Sequence, residues 1–442
     1  MNKSLRKDII FYVFAVLLTV LLYRRDVGGV VISKYIFLGI AVFYAVIADY
    51  NHLLMATAFM LPLACGLPGN YIFPLLCVLM LVKGRKRLHI SRLVWVAFIF
   101  VAVSEFFHIL LLSDYFQIPN YLGYCAAIFL LFVIGGADLD SSDNAKNALA
   151  FCIGSTVMLT VILLNFSLIT GEDIMDMNVR IGDTSDFVDS GELSLGTNSN
   201  NMGLYSIATI AIAFALWQYK RIPVWVMGIM AILAFLAGVD SFSRTWMVSL
   251  LLFGILFVVA NRGNTEKRGL LSVIVILASV VGVYLFFTRY SGTALDMFSD
   301  RFSGAQIESA GARTTLFADY NRWMFSNPGY LVIGTGAALY KDITMLSNST
   351  HNALQQIIVC YGIPGFIFFL YLLYRSLKKW HVAKERMVYV PMIIIGLFLQ
   401  SVQFLNPHYC MYPFIASFFI LKMVKNDDVN KSSFQNNNII EK

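Results

Sequence analysis

Apolar runs of about 20 residues recur along this chain, each long enough to cross the hydrocarbon core of a bilayer as a helix. With no water there to take up backbone polar groups, a crossing must satisfy them internally, which favours the α-helix for runs of this length. The runs lie near 9–23, 30–48, 52–67, 70–82, 92–112, 120–136 and 147–170. They continue near 199–217, 222–239, 245–260, 269–287, 352–374, 387–405 and 408–423. The pair 52–67 and 70–82 is short and hinged at Pro68-Gly69, so the expectation is about 12–14 crossings. Composition agrees: 58% of the 442 residues are hydrophobic and 13% charged, against about 25% charged in soluble domains. Mean hydropathy is +0.71. The expected fold is therefore an all-α polytopic membrane protein with a long extracytoplasmic loop before the third-last helix. Residues 1–425 form its membrane domain, and 426–442 are a polar, Asn-rich cytoplasmic tail that reads as disordered.

Basic residues set the orientation. Lys83 to Arg87, Lys220-Arg221, Arg262 with Lys267 and Arg268, and the run from Arg375 to Arg386 fall on one side when crossings are counted. The positive-inside rule makes that side cytoplasmic and places both termini there. The start resembles a signal peptide, with Lys3, Arg6 and Lys7 before an apolar run, but Tyr23-Arg24-Arg25 follows where a small-residue cleavage site would stand. A retained first helix is expected. The net charge of +7 is mostly this topogenic charge, and it gives no ground for nucleic-acid binding. Cys65, Cys77, Cys125, Cys152, Cys360 and Cys410 sit in apolar segments without paired spacing. They read as small hydrophobes, with neither disulfide nor metal expected.

Two loops remain outside, at about 171–198 and 288–350. The first is acidic and reads as a solvated surface. The second holds Arg289, Arg301, Arg313 and Arg322 with a single lysine, Lys341. Arginine gives bidentate contacts to phosphate or carboxylate that lysine does not. Two readings stay open: an anion site, or ion pairs with Asp296, Asp300, Glu308 and Asp319. Arg244 lies in the very short outer connection Asp240-Ser-Phe-Ser243-Arg244, where it either contributes to that site, snorkels, or pairs with Asp240.

The second loop ends in Ser349-Thr350-His351-Asn352-Ala-Leu354-Gln355-Gln356 and runs straight into an apolar stretch. A helix starting there offers unpaired N–H groups and partial positive charge, which suits an anion. Ser349 or Thr350 is the expected N-cap, with His351 in the first turn and Gln355 one turn below it. The plainer alternative is a capped helix whose polar residues mark the water boundary. Upstream, Asn327-Pro328 and Gly334-Thr-Gly336 form a glycine-punctuated turn able to present N–H groups to an anion. Within the membrane, Glu105 and His108 stand one helical turn apart. Ionisable groups at such depth tend to face a cavity, and a mutually satisfied pair is the alternative. Asp138-Leu-Asp140 with Asp143 reads as solvated charge on the cytoplasmic side. The histidines show no ligand spacing for a metal, and no phosphate-binding Gly-x-x-x-x-Gly-Lys motif is present.

His351-Asn352-x-Leu354-Gln355 followed by Tyr361-Gly362-Ile363-Pro364-Gly365 resembles the hallmark of the O-antigen polymerase and O-antigen ligase superfamily, the Wzy and WaaL type. Ser243-Arg244 is similar to its upstream arginine motif. Arg313, Trp323 and Asn327-Pro328 with Gly334 and Gly336 resemble the stretch before the histidine. The resemblance covers roughly 238–375. It implies a metal-independent, inverting glycosyltransferase, with no cofactor, on the outer face of a bacterial cytoplasmic membrane. Undecaprenyl-diphosphate-linked oligosaccharide would be donor and acceptor, with membrane lipids around it and a chain-length regulator as a candidate partner. The product would be a surface polysaccharide: O-antigen, capsule or exopolysaccharide. Arg244 and Arg313 would hold diphosphate and His351 would act as base or diphosphate ligand. Asn352 and Gln355 would orient the sugar or His351, and Arg289, Arg301 and Arg322 would assist binding. Two alternatives are transfer of the glycan to a final acceptor by a ligase, and a non-enzymatic flippase for the same lipids.

Overall fold

The computed structural model describes residues 3–88, 92–112, 118–136, 139–171, 199–241, 243–260, 313–346, 350, 352–377, 413, 416, 418–420, 422 and 423. The expected crossings 269–287 and 387–405, most of 408–423, nearly all of the acidic loop and the tail lie outside these residues. Among the described residues every element is helical and no strand occurs. In chain order these are α1 (Lys3–Asp26), α2 (Lys34–Ile47), α3 (Tyr50–Met60), a 3₁₀ turn (Pro62–Cys65) and α4 (Gly69–Gly84). Next come α5 (Arg92–Leu112), α6 (Ile118–Gly136), α7 (Ser141–Thr170), α8 (Ser199–Gln218), α9 (Val224–Asp240) and α10 (Arg244–Ala260). The C-terminal part holds α11 (Arg313–Ser326), α12 (Tyr330–Ile333), α13 (Tyr340–Thr344) and α14 (Ala353–Leu377). The chain is an all-α polytopic membrane protein. Three helices are long and apolar enough to cross a membrane by length and composition: Ser141–Leu168, Asn200–Gln218 and Ala353–Tyr371.

The two short expected crossings are α3 and α4. Helix α3 packs on α1, α4 and α7, and its residues from Leu53 to Met60 are all buried. It is apolar on every side because every side meets protein. Pro62 and the bend around Pro68 end it and turn the chain into α4. Helices α7, α8 and α9 pack on one another as the other half of the core.

Among the described residues, the Lys83–Arg87 and Lys220-Arg221 loops meet at the start of α7. Lys7 pairs with Asp49, Lys146 with Asp8 at 2.8 Å, and His52 bridges Asp49 and Asp8 at 2.7 and 3.1 Å. Arg87 donates to Asn51, which donates to Asp143, and Arg221 donates to Ser141 at 2.6 Å. Asp140 is the N-cap of α7, accepting from the Asp143 N–H at 2.7 Å. Asp140 and Asp143 are therefore helix cap and network member, a correction to their reading as merely solvated charge; Asp138 lies outside the described residues. Outside the helices, the bonds from His52 and Lys7 hold the Asp49 carboxyl well below the usual carboxylate range.

The second long loop is not open chain in its described part. Residues 313–346 hold α11, α12 and α13, three helices that fix the approach to α14.

Candidate functional site

Helix α14 begins one step later than its sequence suggests. The Asn352 side chain accepts from the Gln355 N–H at 3.1 Å, and the Asn352 carbonyl takes the Gln356 N–H at 2.8 Å. Asn352 is thus the N-cap, and the first helical residue is Ala353. The expected cap at Ser349 or Thr350 is corrected: Thr350 instead forms a pre-cap turn, its hydroxyl 3.2 Å from the Asn352 carbonyl. Asn352 prevails because a short side-chain acceptor at that position reaches the third helical N–H. His351 directly precedes the cap rather than occupying the first turn. Its own placement lies outside the described residues, as do those of Arg289 and Arg301.

Gln355 joins this helix start to the arginine-bearing helix. Its amide nitrogen donates to the Phe317 carbonyl at 2.9 Å and to Asn321 Oδ1 at 3.0 Å, and the residue is 3% exposed. Phe317 lies one turn after Arg313, the first residue of α11, a rise of about 6 Å. One amide therefore ties the first turn of α14, the positive end of that helix's dipole, to the second and third turns of α11. The side chain of Arg313 is outside the described residues; its backbone opens α11. Arg322 stands apart, with its side chain 79% exposed and 3.6 Å from Asp319. That is one of the ion pairs the loop composition left open, and at the surface such a pair contributes about 0–1 kcal/mol.

Helix α11 stops at Asn327, whose side chain donates to the Trp323 carbonyl at 2.9 Å, and Pro328 follows. Trp323 packs on Tyr330 with ring centroids 5.1 Å apart. Tyr320, fully buried, lies 6.2 Å from the Tyr340 ring of α13, and burial pushes its hydroxyl up to about 12.

The two glycine motifs are halves of one junction. Helix α14 breaks at Gly362, which sits at φ +68° and ψ −178°, a region open to little besides glycine. Pro364 has no N–H, so the Cys360 carbonyl loses its helical partner, and the break removes that of Val359. Both are recovered from across the junction: Thr335 N–H donates to Val359 at 2.9 Å and Gly336 N–H to Cys360 at 2.8 Å. The backbones come so close that a Cβ on Gly334 would run into the Cys360 carbonyl, and one on Gly362 would lie 2.5 Å from the Val332 carbonyl oxygen.

The next two N–H groups of the turn do face an anion, and it is the chain's own. Glu105 accepts from Ala337 N–H at 2.6 Å and Ala338 N–H at 3.1 Å, and from the Tyr361 hydroxyl at 2.7 Å. This corrects two expectations. The Gly334–Ala338 turn has its amides committed to Val359, Cys360 and Glu105. Glu105 and His108 are also not each other's hydrogen-bond partners: His108 Nδ1 lies 2.7 Å from the Ser104 carbonyl, so that nitrogen carries the hydrogen.

The hairpin before Arg244 is tightly built. The Ser243 hydroxyl donates to Asn200 at 2.9 Å, and Trp246 Nε1 donates to Ser206 at 2.9 Å. The Trp246 indole fills the space left by Gly238, and Gly203 faces the Trp246 Cβ and the Ser243 side chain. Arg244 opens α10, and its side chain lies outside the described residues. The sequence missed Glu105 as the organiser of the junction, and Phe317 and Asn321 as the partners of Gln355. Only Tyr361, inside the glycine motif, carried a signal.

Residues 229–370 match the model of a family described as O-antigen ligase. No curated protein and no solved structure matches the chain. The matched span takes in the Arg244 hairpin, the Arg313 helix, the glycine junction and the capped start of α14, and over it the chain is similar to that O-antigen ligase family.

Proposed function

We propose that the protein polymerises undecaprenyl-diphosphate-linked oligosaccharide units into a surface polysaccharide on the outer face of a bacterial cytoplasmic membrane. The observation that carries this reading is the Gln355 brace. It ties the first turn of α14, which follows His351, to the second and third turns of α11, the helix that Arg313 opens. The N-terminus of α14 favours an anionic leaving group, because negative charge grows there as the glycosidic bond to diphosphate breaks. In the proposal Arg313 and Arg244 hold the diphosphate, and His351 takes the proton of the attacking sugar hydroxyl or adds a diphosphate contact. Asn352 and Gln355, occupied by the cap and the brace, act by placing His351. The inversion at the anomeric carbon follows from a single in-line displacement. No metal takes part in this scheme, since arginines and the α14 N-terminus supply the electrostatic stabilisation. Polymerisation is preferred to transfer onto a final acceptor because no part of the sequence points to a dedicated lipid A site; it is a preference between two readings that share the same site.

His351→Ala tests the reading in cells. It is expected to stop chain extension with membrane abundance unchanged, so that single lipid-linked units accumulate. Long polymer at wild-type level would remove His351 from the mechanism.

A further inference from the structure

Glu105 is a carboxylate within a membrane helix, 1% exposed, and a charge there is costly unless its acceptor sites are filled. Its filled sites belong to two segments far along the chain: the Ala337 and Ala338 amides, and the hydroxyl of Tyr361 in α14. Between those two attachments runs the stretch with α13, His351 and the cap Asn352. One carboxylate therefore pins both where that stretch begins and the helix into which it leads. Fit at the turn is close: a Cβ on Gly336 would lie 3.0 Å from Glu105 Oε2. We infer that Glu105 is a positioning residue for the proposed site, holding the Ala337–Ala338 turn against α14, the helix whose cap Asn352 follows His351. This rests on the function proposed above.

A glutamine keeps the size of Glu105 but offers one acceptor oxygen in place of two, so it cannot hold both amides and the tyrosine hydroxyl. Displacement of a reacting group by about 1 Å is enough to cost on the order of 100-fold in rate. Glu105→Gln is therefore expected to lower kcat tenfold to 100-fold with KM nearly unchanged, while the unfolding temperature in detergent moves little. Tyr361→Phe should lower kcat less, and should add nothing in the Glu105→Gln background, since both changes break one network.

A second readout does not depend on turnover. Spin labels at Val31→Cys, 99% exposed, and Lys341→Cys on the exposed side of α13 report the placement of the segment. They are introduced with Cys65→Ala and Cys410→Ala, because Cys77, Cys125, Cys152 and Cys360 are buried. Glu105→Gln should broaden or shift the label distance. An unchanged distance overturns the inference, and so does wild-type kcat. If Glu105→Gln does not fold, Tyr361→Phe, which deletes one hydroxyl, is judged by the same two readouts. A wild-type protein that makes no oligomer would sink the proposed function, and the label distance would still decide whether Glu105 holds the segment.

Discussion

Gly362→Ala tests the junction between the two glycine motifs. Its φ of +68° with ψ of −178° costs an alanine about 1–3 kcal/mol. The new Cβ would lie 2.5 Å from the Val332 carbonyl oxygen and 2.8 Å from that of Leu331. Both are backbone atoms, so α12 must move away, stretching the Thr335–Val359 and Gly336–Cys360 hydrogen bonds, each contributing about 1 kcal/mol. The expected loss is about 3–5 kcal/mol, roughly 5–10 °C in unfolding temperature at the few degrees per kcal/mol usual for larger chains. The assay is thermal unfolding of the purified protein in detergent, alongside Gly228→Ala in α9. A Cβ on Gly228 meets nothing within 4 Å, so that substitution should be neutral or stabilise by up to about 1 kcal/mol through helix propensity. If the two variants unfold at the same temperature, the interlock described here is wrong. Were the glycines present to cradle diphosphate, Gly362→Ala would lower activity and leave the unfolding temperature alone.

Two further outcomes follow from the site. Arg313→Lys and Arg244→Lys should each lose most polymer formation at unchanged abundance, because an ammonium does not reproduce bidentate phosphate contact; wild-type polymer from either would leave only a general electrostatic or anchoring role. Gln355→Ala leaves the Phe317 carbonyl and Asn321 without their donor, a loss of about 1–3 kcal/mol, and it should reduce activity by freeing α11 from α14. Asn321→Ala should show the smaller part of the same effect, and additive losses in the double variant would contradict a shared brace.

Helix existence was legible because apolar length dictates it: 199–217 against Ser199–Gln218 and 245–260 against Arg244–Ala260. The start of α14 was harder. Ser349, Thr350 and Asn352 are all competent caps, and only the backbone shows that the Asn352 side chain reaches the Gln355 N–H. Glu105 was harder still. Its neighbour at one turn, His108, is the local partner any sequence suggests, whereas the donors it uses lie 232 to 256 residues along the chain. The sequence shows a glycine turn able to present amides to an anion, and two of those amides go to Glu105. That the anion is an internal glutamate is a tertiary fact with no local trace.

The most direct test of the proposed chemistry is bond formation by the purified, folded protein in detergent, supplied with authentic lipid-linked repeat units, excess EDTA and no nucleotide sugar. Detergent removes the two-sided compartment that a flippase acts across, so oligomers can come only from glycosyl transfer. The expected result is a ladder of lipid-linked oligomers in EDTA, absent from His351→Ala. No oligomers from the wild-type protein, with transbilayer movement of the same lipid in vesicles, would contradict the account and point to a carrier.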